Sequence, residues 1–118
     1  MNIQDETVND LNEGLKKIQQ EHFNVIQTLM KLVNEFAPMH QELRNHLQKH
    51  YKQALENTKK SAGQETLDLW AASDMSSFNY GMYCFLQTKI DHLRAIERAY
   101  QANISALQSR VKLFKIDG

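Results

Sequence analysis

Apolar residues recur every three or four positions along most of the chain, and this spacing predicts long amphipathic helices. The row in the first segment consists of Val8, Leu11, Leu15, Ile18, His22, Val25, Leu29, Leu32 and Phe36. The row in the last segment consists of Tyr83, Leu86, Ile90, Leu93, Glu97, Tyr100, Ile104, Leu107, Val111 and Phe114. Residues at this spacing share one face of a helix, so each segment is expected to pack lengthwise against another helix.

Helix-breaking residues are scarce, which argues against a fold built on many turns. The 118 residues include one proline and four glycines, and Pro38, Gly63 and Gly81 stand between the periodic segments. We therefore predict an all-α fold and a single domain over 1–118. The expected helices cover about 5–36, 38–60, 65–79 and 82–115.

Two arrangements are compatible with these helices. One is an elongated antiparallel bundle of four helices with breaks near Pro38, Gly63 and Gly81. The other is a long helical hairpin that turns at Gly63 and is only kinked at Pro38 and Gly81. A lone hairpin is too thin to bury its apolar faces, so the second arrangement requires a homodimer, with helices packed as in a coiled coil.

Charge and cysteine content narrow the function classes. The 14 basic residues balance 14 acidic residues, so no strong nucleic-acid signal is present and a polybasic membrane anchor is disfavoured. No apolar run is long enough to span a membrane, and the polar start does not resemble a signal peptide. A lone Cys84 among aromatic residues indicates a buried structural thiol in a reducing compartment. The expected location is the cytoplasm.

The histidines do not form a recognisable metal motif. His46 and His50 are one turn apart, but no glutamate stands three residues before a histidine, as in the bundles that hold two iron ions. We therefore predict no metal and no cofactor. The histidines are expected to lie at the edges of the apolar faces, where their ring nitrogens bond to neighbouring groups or water.

One short stretch offers an enzymatic alternative. The residues Arg44, Asn45 and His50 resemble the Arg-Asn-x(4)-His pattern of HEPN domains, which are small helical bundles. The resemblance implies a metal-independent ribonuclease or its inactive relative, in which Arg44 positions the scissile phosphate and His50 handles protons. Six residues turn a helix by about 600°, which leaves the two side chains about 120° apart.

The densest unexplained feature is a group of five aromatic residues between positions 70 and 85. Its members are Trp70, Phe78, Tyr80, Tyr83 and Phe85, half of the ten aromatics in the chain. They cannot all face one helical seam, so either some of them form a binding surface or the group closes the core where the last two helices meet.

The leading functional prediction is a non-enzymatic helical protein that binds another protein. It would act as an adaptor, a chaperone-like factor or an inhibitor, through an aromatic-rich surface containing Trp70, Phe78, Tyr80 and Tyr83. Long apolar rows together with surplus aromatics favour this protein–protein interaction role, and the same rows favour a homodimer.

Overall fold

A computed structural model describes the backbone of residues 3–59 and 63–117 and the side chains of residues 8–59 and 63–114. The helices are α1 (Ile3–Lys49), α2 (Tyr51–Asn57), α3 (Gln64–Asp74) and α4 (Tyr80–Asp117). The described residues contain no β-strand, so the predicted all-α fold is confirmed. Within these ranges, no helix has a stretch both long and apolar enough to cross a lipid bilayer.

The helices contribute to two compact units. Unit 1 combines the residues up to Met30 with those from Asp91 onward, and unit 2 is Lys31–Ile90. Unit 1 therefore contains the first part of α1 and the last part of α4. Unit 2 contains the rest of these two helices together with α2 and α3.

At Pro38 the helix boundary of the four-helix arrangement is wrong, and the alternative without a break holds, because α1 continues through this residue to Lys49. A proline inside a helix cannot bond to the carbonyl group four residues earlier, which here belongs to Asn34. Both Pro38 and Asn34 are exposed, so water can reach the carbonyl left without a partner. Apolar packing on the opposite side of α1 then holds the helix together across the proline.

The structure has a break at His50 that the sequence did not predict, and a break near Gly63 as predicted. Only His50 separates α1 from α2, and the helical bond from the Ala54 N–H to its carbonyl is retained at 2.9 Å. Gly63 precedes α3 in an extended conformation, with φ −68° and ψ 156°, and not in the left-handed form typical of a glycine that ends a helix. The predicted helix end at 60 lies outside the described residues.

The break expected near Gly81 lies just before it, since α3 ends at Asp74 and α4 begins at Tyr80. The side chain of Asn79 fixes this start, because its Oδ1 accepts a hydrogen bond of 2.9 Å from the N–H of Met82. An asparagine in this capping position satisfies a backbone donor that has no partner within the helix. Gly81 therefore lies in the first turn of α4.

Burial is concentrated in unit 2. Ten apolar residues are buried in the described part of the chain, and all except Val111 belong to unit 2. The unit 2 set is Leu43, Leu47, Ala54, Leu67, Ala71, Ala72, Tyr83, Leu86 and Ile90. Small residues on α2 and α3 let these short helices approach closely, and the larger side chains of α1 and α4 fill the remaining space.

Unit 1 is an antiparallel pair of helical segments. The Tyr100 hydroxyl donates to Glu21 Oε2 at 3.3 Å, and His22 Nε2 lies 3.2 Å from Glu97 Oε1. The predicted rows face each other across this seam. All their members on α1 before Met30 are half-buried, as are those on α4 between Leu93 and Phe114 apart from the buried Val111.

Candidate functional site

The aromatic group in unit 2 is organised around Tyr83. Its ring centroid lies 4.9 Å from that of Phe36, 5.6 Å from that of Phe78 and 6.0 Å from that of Tyr80. Its hydroxyl shares a hydrogen bond of 3.0 Å with His40 Nδ1. Tyr83 is only 2% exposed, so it belongs to the core and we remove it from the predicted contact surface.

The other predicted contact residues lie at the edge of the same core. Trp70, Phe78 and Tyr80 are half-buried and pack against the buried cluster. Trp70 also lies beside His46, with 6.0 Å between the ring centroids. Each residue therefore contributes to packing while keeping part of its side chain at the surface.

Two exposed apolar residues of α4 in this region are absent from the contact surface that the sequence predicts. Met82 is 46% and Phe85 is 54% exposed on α4, and the Lys89 ammonium lies 5.5 Å from the centre of the Phe85 ring. These three residues follow one side of the helix, which we call the outer face of α4. The sequence contains a signal for this outer face. Tyr83 lies in the buried row, and Phe85 is two positions further on, which places it about 200° away around the helix.

Two tyrosines of the group hold their protons more strongly than a free tyrosine. Burial raises the pKa of Tyr80 from 10.0 to about 12, helped by its hydrogen bond with Cys84. Burial also raises the pKa of Tyr83, and the negative charge of Asp68 adds to this effect while the Arg44 guanidinium opposes it. Both hydroxyls are therefore uncharged at neutral pH and serve as hydrogen-bonding groups.

Alkaline titration provides a test of this packing. We expect the contribution of Tyr80 to the free energy of unfolding to be fully present below pH 10 and to be lost as the pH rises towards about 12, because the folded chain retains a Tyr80 proton that the unfolded chain has lost. Denaturant titrations across this range, with the Tyr80→Phe variant as control, measure the effect. The variant should show a shallower decline. Equal declines in both proteins would show that Tyr80 is not held in this way.

Arg44 is part of a structural ion pair. Its Nη2 donates to Asp68 Oδ2 at 3.2 Å, and Gln64 Nε2 donates to Asp68 Oδ1 at 2.8 Å. Asp68 is 8% exposed and is the one buried charged residue in the described part of the chain. The two donors compensate for removing this carboxylate from water, and the bond from Arg44 joins α1 to α3.

A polar groove of about 480 Å³ lies beside the end of α1. Within it, His46 Nε2 lies 2.7 Å from Asp74 Oδ2, and the His46 and His50 ring centroids are 4.5 Å apart. Asn45 lines the same groove, and its Oδ1 accepts a bond of 2.8 Å from Gln41. The described histidines and carboxylates form no cluster of three or more that could hold a metal ion.

The three residues of the HEPN-like pattern do not share one site. Asn45 and His50 line the polar groove, whereas Arg44 lines a separate groove of about 180 Å³ together with Tyr51 and Gln64. The helical turn between Arg44 and His50 explains this separation. A phosphate held in the polar groove would have His50 beside it but would lack the arginine.

The chain matches no protein-family model, no curated protein sequence and no solved structure. Three features of the structure bear on function: the outer face of α4, the polar groove, and the half-buried seam of unit 1.

Proposed function

We propose that the protein is a non-enzymatic helical protein–protein interaction module, acting in the cytoplasm as an adaptor, a chaperone-like factor or an inhibitor. Its contact surface is the outer face of α4, with Trp70, Phe78 and Tyr80 as further contact residues. The cytoplasmic location is supported by a lone cysteine, Cys84, which is half-buried beside Tyr80.

The exposure of Met82 and Phe85 is the observation that supports this role. The two side chains lie one turn apart, with 46% and 54% of their surfaces open to solvent. Neither contributes to the core, so both are free to fill a pocket or a groove in a partner. Large apolar side chains of this kind supply much of the binding energy in protein interfaces.

The chemistry of the outer face defines the partner. An amphipathic helix with apolar residues at i and i+3 or i+4 would cover Met82 and Phe85. Lys89 beside the Phe85 ring favours an acidic residue next to that apolar row. The polar groove around His46 offers no comparable apolar anchor, and the separation of Arg44 from His50 gives the ribonuclease alternative no assembled site.

Site-specific photo-crosslinking tests this surface. A photoreactive amino acid in place of Phe85 should give a covalent adduct with a partner in cells that express the chain. Gln87, exposed on α4 two positions further on, provides the matched control position. We expect adducts from position 85 and at least about tenfold less from position 87, because an interface excludes residues on the other side of the helix.

A second variant and the possible labelling results test the same surface further. Changing Met82 to serine should weaken the adduct formed from position 85 while leaving the helical content unchanged. Equal labelling from positions 85 and 87, or no adduct from either, would contradict a binding role for the outer face. An adduct with twice the mass of the chain would assign this face to self-association and not to another protein.

A further inference from the structure

The polar groove beside the end of α1 contains two histidines that lie one helical turn apart. His50 stands between α1 and α2, but its N–H donates to the His46 carbonyl at 3.0 Å, so the helical register is kept across the junction. Both rings therefore lie on the same side of the chain, with 4.5 Å between their centroids. Two histidines at this spacing on one helix face can ligate the same metal ion, as in the zinc-binding helices of metalloproteases.

The separation of the two rings fits two ligands of one ion. An imidazole nitrogen lies about 2.1 Å from the metal that it binds, which places the ring centroid about 3.2 Å from that metal. Two rings bound at a right angle then have centroids about 4.5 Å apart, and two rings at the tetrahedral angle about 5.2 Å apart. The 4.5 Å between the His46 and His50 centroids equals the right-angle value.

Asp74 places a carboxylate next to this pair. Its Oδ2 lies 2.7 Å from His46 Nε2, against about 2.9 Å for two ligand atoms at a right angle on one ion. No three of the described histidines and carboxylates are placed to hold an ion as they stand, so an ion has to take the place of this hydrogen bond. Asp74 can make that adjustment because it is the last residue of α3 and 47% of its side chain is exposed.

The charges around the two rings favour a cation. Glu42, one turn before His46, lines the same groove as Asp74, whereas Lys49 supplies the one ammonium group of the described lining. Two carboxylates thus face one ammonium group, and this balance attracts a positive ion. The groove of about 480 Å³ also has space for water molecules, each of about 30 Å³, to complete the coordination of that ion.

We propose that His46 and His50 chelate a late first-row divalent metal ion, with Asp74 as a third ligand and water in the remaining positions. Imidazole nitrogen suits Ni²⁺, Cu²⁺ and Zn²⁺, whereas Mg²⁺ and Ca²⁺ prefer oxygen ligands. A two-histidine chelate does not need the Glu-x-x-His motif whose absence led to the prediction of no metal. The ion would hold the junction of α1 and α2 to the end of α3. This site goes beyond the proposed function, since it uses no residue of the outer face of α4.

Isothermal titration of the full chain with Ni²⁺ tests the chelate. We expect one ion per chain and no comparable binding of Mg²⁺. His46→Asn and His50→Asn should each weaken Ni²⁺ binding at least about tenfold, because each removes one of the two imidazole ligands. Asp74→Asn should weaken it by a smaller factor. His92→Asn, at an exposed histidine of α4, provides the matched control and should leave binding unchanged.

Circular dichroism of each variant establishes that its helices are retained, and His50→Gln replaces His50→Asn if the asparagine reduces the helical content. A wild-type chain that takes up no Ni²⁺, or binding that neither histidine change weakens, would overturn the proposal. An equal loss from His92→Asn would also overturn it, because single surface histidines would then account for the binding. Met82→Ser separates this result from the proposed function, since it should bind Ni²⁺ normally even where partner crosslinking is lost.

Discussion

Replacing Tyr83 with alanine should lower the free energy of unfolding by about 3–5 kcal/mol, the range measured when a large buried aromatic is truncated. Tyr83 is 2% exposed, and its ring stacks on Phe36 at 4.9 Å between centroids. The truncation would leave a cavity in contact with Phe78 and Tyr80, whose rings lie 5.6 and 6.0 Å away. Denaturant unfolding followed by circular dichroism measures the loss.

Tyr83→Phe is the matched control for this change. It retains the ring and removes only the hydroxyl that bonds to His40 at 3.0 Å, so we expect a loss of about 1 kcal/mol. The difference between the two variants measures the packing of the ring. An alanine variant about as stable as the phenylalanine variant would mean that Tyr83 lies at the surface, as the aromatic-surface hypothesis first supposed.

Replacing Arg44 with alanine should also be strongly destabilising, by about 3 kcal/mol, at the lower end for breaking a buried ion pair. The variant leaves the Asp68 carboxylate, with 12% of its side chain exposed, bonded only to Gln64. Because 35% of the Arg44 side chain is exposed, water can replace part of the lost interaction. Chemical denaturation at neutral pH measures the change.

A double-mutant cycle separates the ion pair from other effects. Adding Asp68→Asn to Arg44→Ala should recover part of the lost stability, because the stranded carboxylate is then absent. Arg98→Ala, at an exposed arginine of α4, should change stability by less than about 0.5 kcal/mol. Additive effects of the Arg44 and Asp68 changes would contradict the pairing of these two side chains.

The spacing of apolar residues was sufficient to predict the helical fold, because that spacing is set by the geometry of the helix itself. The sequence left both a break and a kinked continuation open at Pro38. Its local preference disfavours a continuous helix, but packing on the far side of α1 outweighs the loss of one exposed hydrogen bond. A rule based on residues next to Pro38 in the sequence cannot include the stabilisation that α1 gains when side chains of α3 and α4 pack against it.

The candidate contact surface shows the same difference between what a local pattern predicts and what packing of the folded chain determines. The row containing Tyr83, Leu86 and Ile90 was visible in the sequence, and it correctly indicates that Tyr83 is buried. A contact surface based on aromatic content alone ignores this row, so it includes the buried Tyr83 and leaves out the exposed Phe85. The pairs His46–Asp74 and Arg44–Asp68 join residues more than twenty positions apart, so only the folded chain reveals them.

Hydrogen exchange of the backbone amides tests the central claim, namely that the closed core of the described chain lies in unit 2. Amides around Leu43 and Tyr83 should exchange much more slowly than those of unit 1, where Val111 is the one buried apolar residue among those described. Equal protection in both units would contradict the claim.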